Sequence, residues 1–589
     1  MEKAGETLES VNLGNLDLRL QQKDQEDPNA SENKRKNVSG KQSSVREKAR
    51  LWESPSQCDM GSSGASSARQ QNSGQHKFED VSLQSGDRQN NRSGRRQDKD
   101  QQSEHQQDSD KEHQQDSAHG SNPYAALIDH LRATWLKGKT RPMEYRRTQL
   151  EALGRFLEEN KCEILQAVHA DMHRPPFEGD IAEVSLVRNE VNNALNNLHS
   201  WMRDKRVSKN LVATFDKAFI RKDPYGVVLI ISPFNFPFHL TLIPLVGAIA
   251  AGNCVIVKPS ELSKCSEKLM AEVLPNYLDP ETFAVVTGGQ KQTAKLLENK
   301  FDYIFFTGGA HVGKIVMTAA AKHLTPLTLE LGGKNPCYVD SCCDFQSAAN
   351  RIAWAKFFNA GQCCISPDYV ICTADVQDKL IPCLRQAIRS FYGCNPQDSP
   401  DFGRMINDKH FKRVRALLDC GRVAIGGETD ECDRYIAPTV LADVKEWEPI
   451  MQQEVFGPVL PILTVSCLDE AIHFINCGDR PLIAFAFSCK SEIVNRVLDC
   501  TSSGGFCGNN DLTHMTLVSL PFGGIGCSGL GKYHGKFSFD TFINQRSCHI
   551  RTLGLEVISC VRYPPYSERK LRLLKLVTDV RRRKFCTLL

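Results

Sequence analysis

The chain has 589 residues, enough for two to four domains, and its 40% apolar content suffices for a large core. Lys plus Arg (73) against Asp plus Glu (70) leaves a formal charge of +3, so no net field points to nucleic acid or to an acidic partner. The N-terminus, MEKAGETLESVNLGNLDLRL, lacks the apolar core and small-residue cleavage site of a secretory signal, which places the 23 cysteines in a reducing cytosol, mostly as thiols.

Residues 1–122 are rich in Gln, Ser, Asp, Lys, Arg and Gly and poor in aromatic and β-branched side chains, a composition that cannot offset the entropy of ordering. They are expected to form a disordered polar extension, and KRKNVSGK within it reads as solvated charge rather than as a nuclear address. From Tyr124, YAALIDHLRATWLKGKTRPMEYRRTQLEALGRFLEEN places apolar residues three and four apart, so an ordered, amphipathic helical region begins there. Residues 225–257, YGVVLIISPFNFPFHLTLIPLVGAIAAGNCVIV, are apolar enough to suggest a membrane span. Pro233, Asn235, Pro237, His239 and Pro244 interrupt them, and strand, turn, helix, strand is the better reading. Beyond Lys217 the runs GVVLIIS, NCVIVK, TFAVVTG, YIFFTG, PCYVD, YVICTA and VLPILTV alternate with helical patterns, which implies an α/β fold with a parallel, doubly wound sheet.

Four stretches carry chemistry. VIVKPSELS puts Lys258 at the end of a strand, where open α/β sheets present ligands, although a solvated lysine explains it equally. FFTGGAHVGKIV reads as strand, glycine turn and helix, a geometry that offers backbone N–H groups to a phosphate; an ordinary tight turn is the alternative. In LTLELGGKNP, Glu330 stands among Leu327, Leu329 and Leu331, so it is either salt-bridged or raised in pKa toward a general base, while Gly332 and Gly333 admit close approach of a ligand. NAGQCCISPDY then sets Cys363 beside Cys364, and a buried cysteine is by default an inert small hydrophobe.

PFNFP, VKPSE, FTGG, LELGGKNP, GQCC, EVFGPV and PFGGIGCSGLG occur in the order and approximate spacing of the aldehyde dehydrogenase superfamily, over residues 123–565. AAAKHLTPLTLELGGKNPCYVD and LPFGGIGCSGLGKYHGKFSFDTF resemble its class 3 branch, which includes fatty-aldehyde and C-terminally prenylated, membrane-associated enzymes. The resemblance implies an aldehyde dehydrogenase-like fold: a Rossmann-type NAD(P)-binding domain (123–210 and 228–331), an α/β catalytic domain (332–535) and a bridging β-arm (211–227 and 536–556) that pairs subunits into a homodimer. It implies Cys364 as nucleophile, Asn235 as oxyanion donor together with the Cys364 N–H, and Glu330 as general base. For NAD or NADP it implies Lys258 and Glu261 at the adenosine ribose, Gly308, Gly309 and Val312 at the pyrophosphate, Gly332 nearby, and Glu454 with Phe456 at the nicotinamide end. Cys363 fills the variable position and reads as packing. No metal site is expected. Phe234 and Phe236 stand where Trp and Tyr are common, and the segment GGFCGNNDLTHMTLVSLPFGG is altered, with Val518 in place of an expected His; both are expected at the substrate tunnel wall.

Residues 557–589 form a basic amphipathic tail: Ser567 is an N-cap, and Leu571, Leu574, Val577 and Val580 share a face. RRRKFCTLL ends on a CaaX box, so Cys586 is expected to be geranylgeranylated beside the basic cluster 581–584, with Cys548 and Cys560 as weaker palmitoylation sites. With the resemblance, these features lead to the expectation of a protein held peripherally on the cytoplasmic face of a membrane and oxidising medium- and long-chain aliphatic or aromatic aldehydes; a tail helix that covers the tunnel mouth or packs on its own domain is the alternative for the tail. The alternatives are a non-catalytic nucleotide-binding scaffold of the same fold, and a cysteine acyltransferase or thioesterase.

Overall fold

The computed structural model describes residues 122–554 and 556–580. Residues 1–121, the basic cluster 581–584 and Cys586 lie outside the described residues, and with them the expected disordered extension and lipidation site.

All seven apolar runs form strands, divided between two sheets. Val227–Ile231 and Cys254–Lys258 consist mostly of β-branched residues and are buried throughout, as central parallel strands covered on both faces must be. They pair in parallel in a six-stranded sheet of spatial order Gly529–Leu530, Leu327–Leu331, Tyr303–Gly308, Val227–Ile231, Cys254–Lys258, Phe283–Val285. The last-formed strand, Gly529–Leu530, adds antiparallel to Leu327–Leu331, so the chain returns to the first sheet after building the second. The second sheet has seven strands in the order Arg422–Ile425, Thr439–Val444, Val459–Thr464, Tyr369–Cys372, Pro336–Val339, Ile483–Phe487, Gly505–Gly508, all parallel except the first pair. Ile483–Phe487 alternates strand-favouring Ile and Phe with alanine, and all five residues are buried between neighbouring strands.

The apolar stretch 225–257 folds as strand, turn, helix, strand, and among the described residues no helix is long and apolar enough to cross a membrane. Its helix, His239–Ala251, is buried along its whole length and stops at Gly252, whose φ of +93° is the left-handed C-cap conformation. Tyr124 opens two helices, Ala125–Leu136 and Met143–Glu159, separated by Gly138 and Pro142. A third sheet projects as a ribbon: Lys217–Pro224 pairs antiparallel with Ile543–Ile550 and with Lys205–Arg206. Buried Asp216 ties its base by accepting from Arg551 Nε at 2.9 Å and from His549 Nε2 at 2.6 Å.

Ser567 caps the tail helix Glu568–Thr578, accepting from Lys570 N at 3.3 Å, and no residue of that helix is buried. Leu574 and Val577 of its apolar face are half-buried and Lys570 Nζ donates to the carbonyls of Tyr563 and Pro565 at 3.0 and 2.9 Å, so the helix packs partly on its own domain while Leu571 and Val580 stay exposed.

Candidate active site

Parallel strands bring their C-terminal ends to one edge, and the register makes the edge exact for this site: Ile231 lies opposite Lys258, and Thr307 opposite Glu330. The loops leaving that edge carry Asn235, Gly308, Gly309 and Gly332. With Glu330, Cys364, Glu454 and Phe456 they line one cavity of about 510 Å³.

Cys364 arrives by a turn that no regular element would make. Asn359, Ala360 and Gly361 have φ of 54°, 50° and 73°, three left-handed residues in succession, two of them with a Cβ that disfavours it. At Gly361 an added Cβ would lie 2.2 Å from the Gly457 carbonyl oxygen, so no other residue fits. Buried amides hold the turn: Gln362 Nε2 donates to the Arg404 carbonyl at 3.0 Å, Ile406 N donates to Gln362 Oε1 at 3.0 Å, and Asn335 Nδ2 donates to the carbonyls of Cys364 and Ser366 at 2.7 and 2.9 Å. Beneath it, the Asn359 N–H donates to Glu178 at 2.9 Å; burial pushes that carboxyl up to about 7.

The half-buried Cys364 lies beside the buried Cys363, which packs in the core of the second sheet. The Cys363 thiol, then burial, then the negative charges of Glu454 and Glu330, hold the Cys364 proton well above the usual thiol range. Asn235 Nδ2 donates to the Gln362 carbonyl at 3.2 Å, which leaves its second N–H for the cavity.

Glu330 is 3% exposed, and neither carboxylate oxygen has a hydrogen-bond partner. Burial alone raises its pKa well above the ordinary value, so it is not the salt-bridged structural residue that its sequence also allowed. Glu454, on the opposite wall, is pushed up to about 8 by burial and then by Asp368. It occupies the space that a side chain at Gly332 would need, since a Cβ there would fall 2.2 Å from its Oε2.

The FTGG stretch is a strand, Tyr303–Gly308, then Gly309, then the helix Ala310–Lys322. A Cβ at Gly309 would meet nothing within 4 Å, so the helix N-terminus opens onto free space. That opening, the unpartnered Thr307 hydroxyl beside it and the cavity reaching Cys364 fit an extended anionic dinucleotide such as NAD or NADP. Lys258 and Glu261 lie together at the end of their strand, with Lys258 Nζ donating to Glu261 Oε2 at 3.0 Å and to the Pro259 carbonyl at 2.8 Å. They do not line the Cys364 cavity, and neither does Val312, which is exposed on the helix.

Phe234 lines the cavity between His410 and Phe456, at ring separations of 5.2 and 5.9 Å. Phe236 points the other way and stacks on Phe358 at 6.1 Å. In the altered segment, Phe522 packs against both main cores and stacks on His534 at 5.2 Å, and Val518 abuts Gly535.

Arg174, Glu178, Glu183, Asn359 and Arg413 did not emerge from sequence reading. Arg413 Nη2 donates to the Val455 carbonyl at 2.7 Å and shapes the wall that carries Glu454. Buried charge in HRPPFEGDIAEVS was the available signal, but nothing local tells a charged residue turned inward from one turned to solvent.

A family model described as the aldehyde dehydrogenase family matches residues 110–548. Aldehyde dehydrogenase family 3 member B1 of Mus musculus is 60% identical over 462 residues, covering 78% of this chain and 98% of that protein. The Homo sapiens protein of the same name is 59% identical over 468 residues, covering 80% of this chain and all of its own length (100%). Among solved structures, the substrate-bound state of Staphylococcus aureus AldH superposes with a TM-score of 0.74 at 41% identity, covering 76% of this chain and 97% of that one.

Proposed function

The chain belongs to the aldehyde dehydrogenase family, in its class 3 branch, and is an NAD(P)-dependent aldehyde dehydrogenase; on that premise we propose that it oxidises medium- and long-chain aliphatic and aromatic aldehydes at Cys364. The observation that carries the assignment of residues is the convergence of Cys364, Asn235 and an unpartnered, buried Glu330 on one cavity.

In this reading the Cys364 sulfur attacks the aldehyde carbon, and the resulting oxyanion accepts from the free N–H of the Asn235 amide and from the Cys364 backbone N–H. NAD or NADP, when bound, supplies the hydride acceptor. Gly308, Gly309, Val312 and the start of the helix Ala310–Lys322 hold its pyrophosphate; Glu454 and Phe456 hold its reactive end, with Gly332 leaving room; Lys258 and Glu261 lie toward its adenosine. Glu330 takes the thiol proton and later a proton from the water that hydrolyses the thioester. A carboxylate with no hydrogen-bond donor has a high proton affinity, which suits a base.

The cofactor domain is assigned to 123–210 and 228–331, the catalytic domain to 332–535, and the arm to 211–227 and 536–556. Exposed Leu211 and Phe215 beside the ribbon support pairing into a homodimer. The unburied tail helix, with Leu571, Leu573 and Leu576 exposed among Arg569, Lys570, Arg572 and Lys575, supports docking on a cytoplasmic membrane surface, with Cys586 as the prenyl acceptor and Cys548 and Cys560 as secondary acylation sites. Such docking would deliver aldehydes that partition into lipid.

Steady-state kinetics over an aldehyde chain-length series, with NAD+ and NADP+, tests the substrate class: kcat/KM is expected to rise from short aldehydes to hexadecanal. A maximum at acetaldehyde overturns it. Cys364→Ser is expected to abolish reduction of the nicotinamide; unchanged turnover removes Cys364 as the nucleophile, and a wild type inert toward every aldehyde favours the scaffold alternative. Cys586→Ser is expected to move the protein from membranes to the soluble fraction, and unaltered partition overturns the anchor.

A further inference from the structure

We propose that Arg174 is a positioning residue that aims the Asn235 amide at the substrate's developing oxyanion, an inference that rests on Asn235 being the oxyanion donor. Arg174 has no exposed surface, and a charge so placed is costly unless it is fully paired. Each of its three nitrogens has an acceptor. Nη1 donates to the Glu183 carboxylate, Nη2 donates to the backbone carbonyl of Asn235 itself, and Nε donates to Asn359 Oδ1 at 3.0 Å. The guanidinium carbon lies 4.7 Å from the centre of the Phe236 ring, which steadies the residue next to Asn235.

Asn359 closes the circuit from the other side. Its Nδ2 donates to the same Asn235 carbonyl at 3.0 Å and to the Gln362 carbonyl at 3.1 Å. The Gln362 carbonyl also accepts from Asn235 Nδ2 at 3.2 Å. Arg174 is thus joined to both halves of the oxyanion hole: the backbone of the residue that carries the amide, and the left-handed turn that delivers Cys364. Glu183 anchors the cluster, because its second carboxylate oxygen accepts from the N–H groups of Phe238 and His239 at 3.1 and 2.8 Å, at the start of the buried helix. Only a planar, multi-donor guanidinium can reach all three acceptors at once. A lysine keeps the charge beside Glu183 and loses the fork.

The test is a double-mutant cycle of Arg174→Lys with Asn235→Ala on full-length protein, read by hydrolysis of p-nitrophenyl acetate. In that reaction Cys364 sulfur bonds to the acyl carbon, the bond to the aryl oxygen breaks, the thiol proton leaves with p-nitrophenol, and water then cleaves the thioester to acetate and the free thiol. It needs the nucleophile and the oxyanion donor and no nicotinamide. Arg174→Lys is expected to lower kcat by about 10²-fold, the loss typical of a misplaced reacting geometry, with KM unchanged within about twofold. In the Asn235→Ala background the same substitution is expected to cost less than about threefold.

Equal losses in both backgrounds, or a raised KM at unchanged kcat, overturn the proposal, since a merely structural role predicts the first and a binding role the second. If thermal melting shows that Arg174→Lys does not fold, Asn359→Gly takes its place under the same criteria; it keeps the left-handed backbone (φ 54°) and removes both Nδ2 bonds. Absence of aldehyde-dependent NAD(P)H formation by the wild type refutes the function assigned above, whereas the ester cycle decides on Arg174 independently.

Discussion

Glu178 offers a sharp test of how burial is used beneath the turn that carries Cys364. Its carboxylate accepts from the Asn359 N–H at 2.9 Å, and burial, against the weaker pull of that bond and of Arg174, moves its pKa from 4.5 to about 7. Between those values the folded chain binds more protons than the unfolded one, so stability falls as pH rises and the loss is complete above pH 7. At about 1.36 kcal/mol per pH unit, the cost is about 3 kcal/mol. Glu178→Gln keeps an acceptor for Asn359 and removes the titration, while its buried amide nitrogen costs about 1–3 kcal/mol at any pH. The variant is therefore expected to be less stable than the wild type at pH 5, and the difference should move in its favour by about 2–3 kcal/mol by pH 8. Urea denaturation followed by tryptophan fluorescence at pH 5, 6, 7 and 8 measures this, and other titrating groups cancel because both proteins share them. Parallel stability curves would refute the reasoning and show that Glu178 titrates as it does in the unfolded chain.

Glu330→Gln is expected to lower kcat by about 10²–10⁴-fold. Because burial holds the Glu330 pKa above 4.5, wild-type kcat should rise with pH as the base ionises, and the variant should lose that limb; a retained limb assigns it elsewhere. Cys363→Ala removes the thiol that does most to hold the Cys364 proton, so iodoacetamide alkylation of Cys364 should shift to lower pH, and an unmoved profile contradicts the thiol pairing. Gly332→Ala places a Cβ 2.2 Å from Glu454 Oε2 and should lower kcat/KM for the cofactor by about 10²-fold in initial-rate kinetics; unchanged constants contradict the packing.

Where the signal was local, it could be read from residues alone. The β-branched runs Val227–Ile231 and Cys254–Lys258 became strands because their own side chains prefer that state and their length suits it. The prolines around Asn235 and Pro244 argued against a membrane span through chain geometry that needs no neighbour. Ile483–Phe487 carries Ile and Phe that favour a strand, but a five-residue run broken by alanines is too short for periodicity to tell strand from buried helix; the neighbouring strands supplied the decision.

The site divides in the same way. Sequence order and spacing determined the α/β class and the ordered motifs that carry the family resemblance, because each is a property of a short stretch. Tertiary structure alone decided which charges are turned inward and what they touch. Arg174 meets Asn359 across 185 positions and Asn235 across 61. Whether Glu330 was salt-bridged or a base was likewise undecidable in the chain, since pKa follows desolvation and neighbours, which exist only once the strands have closed around it.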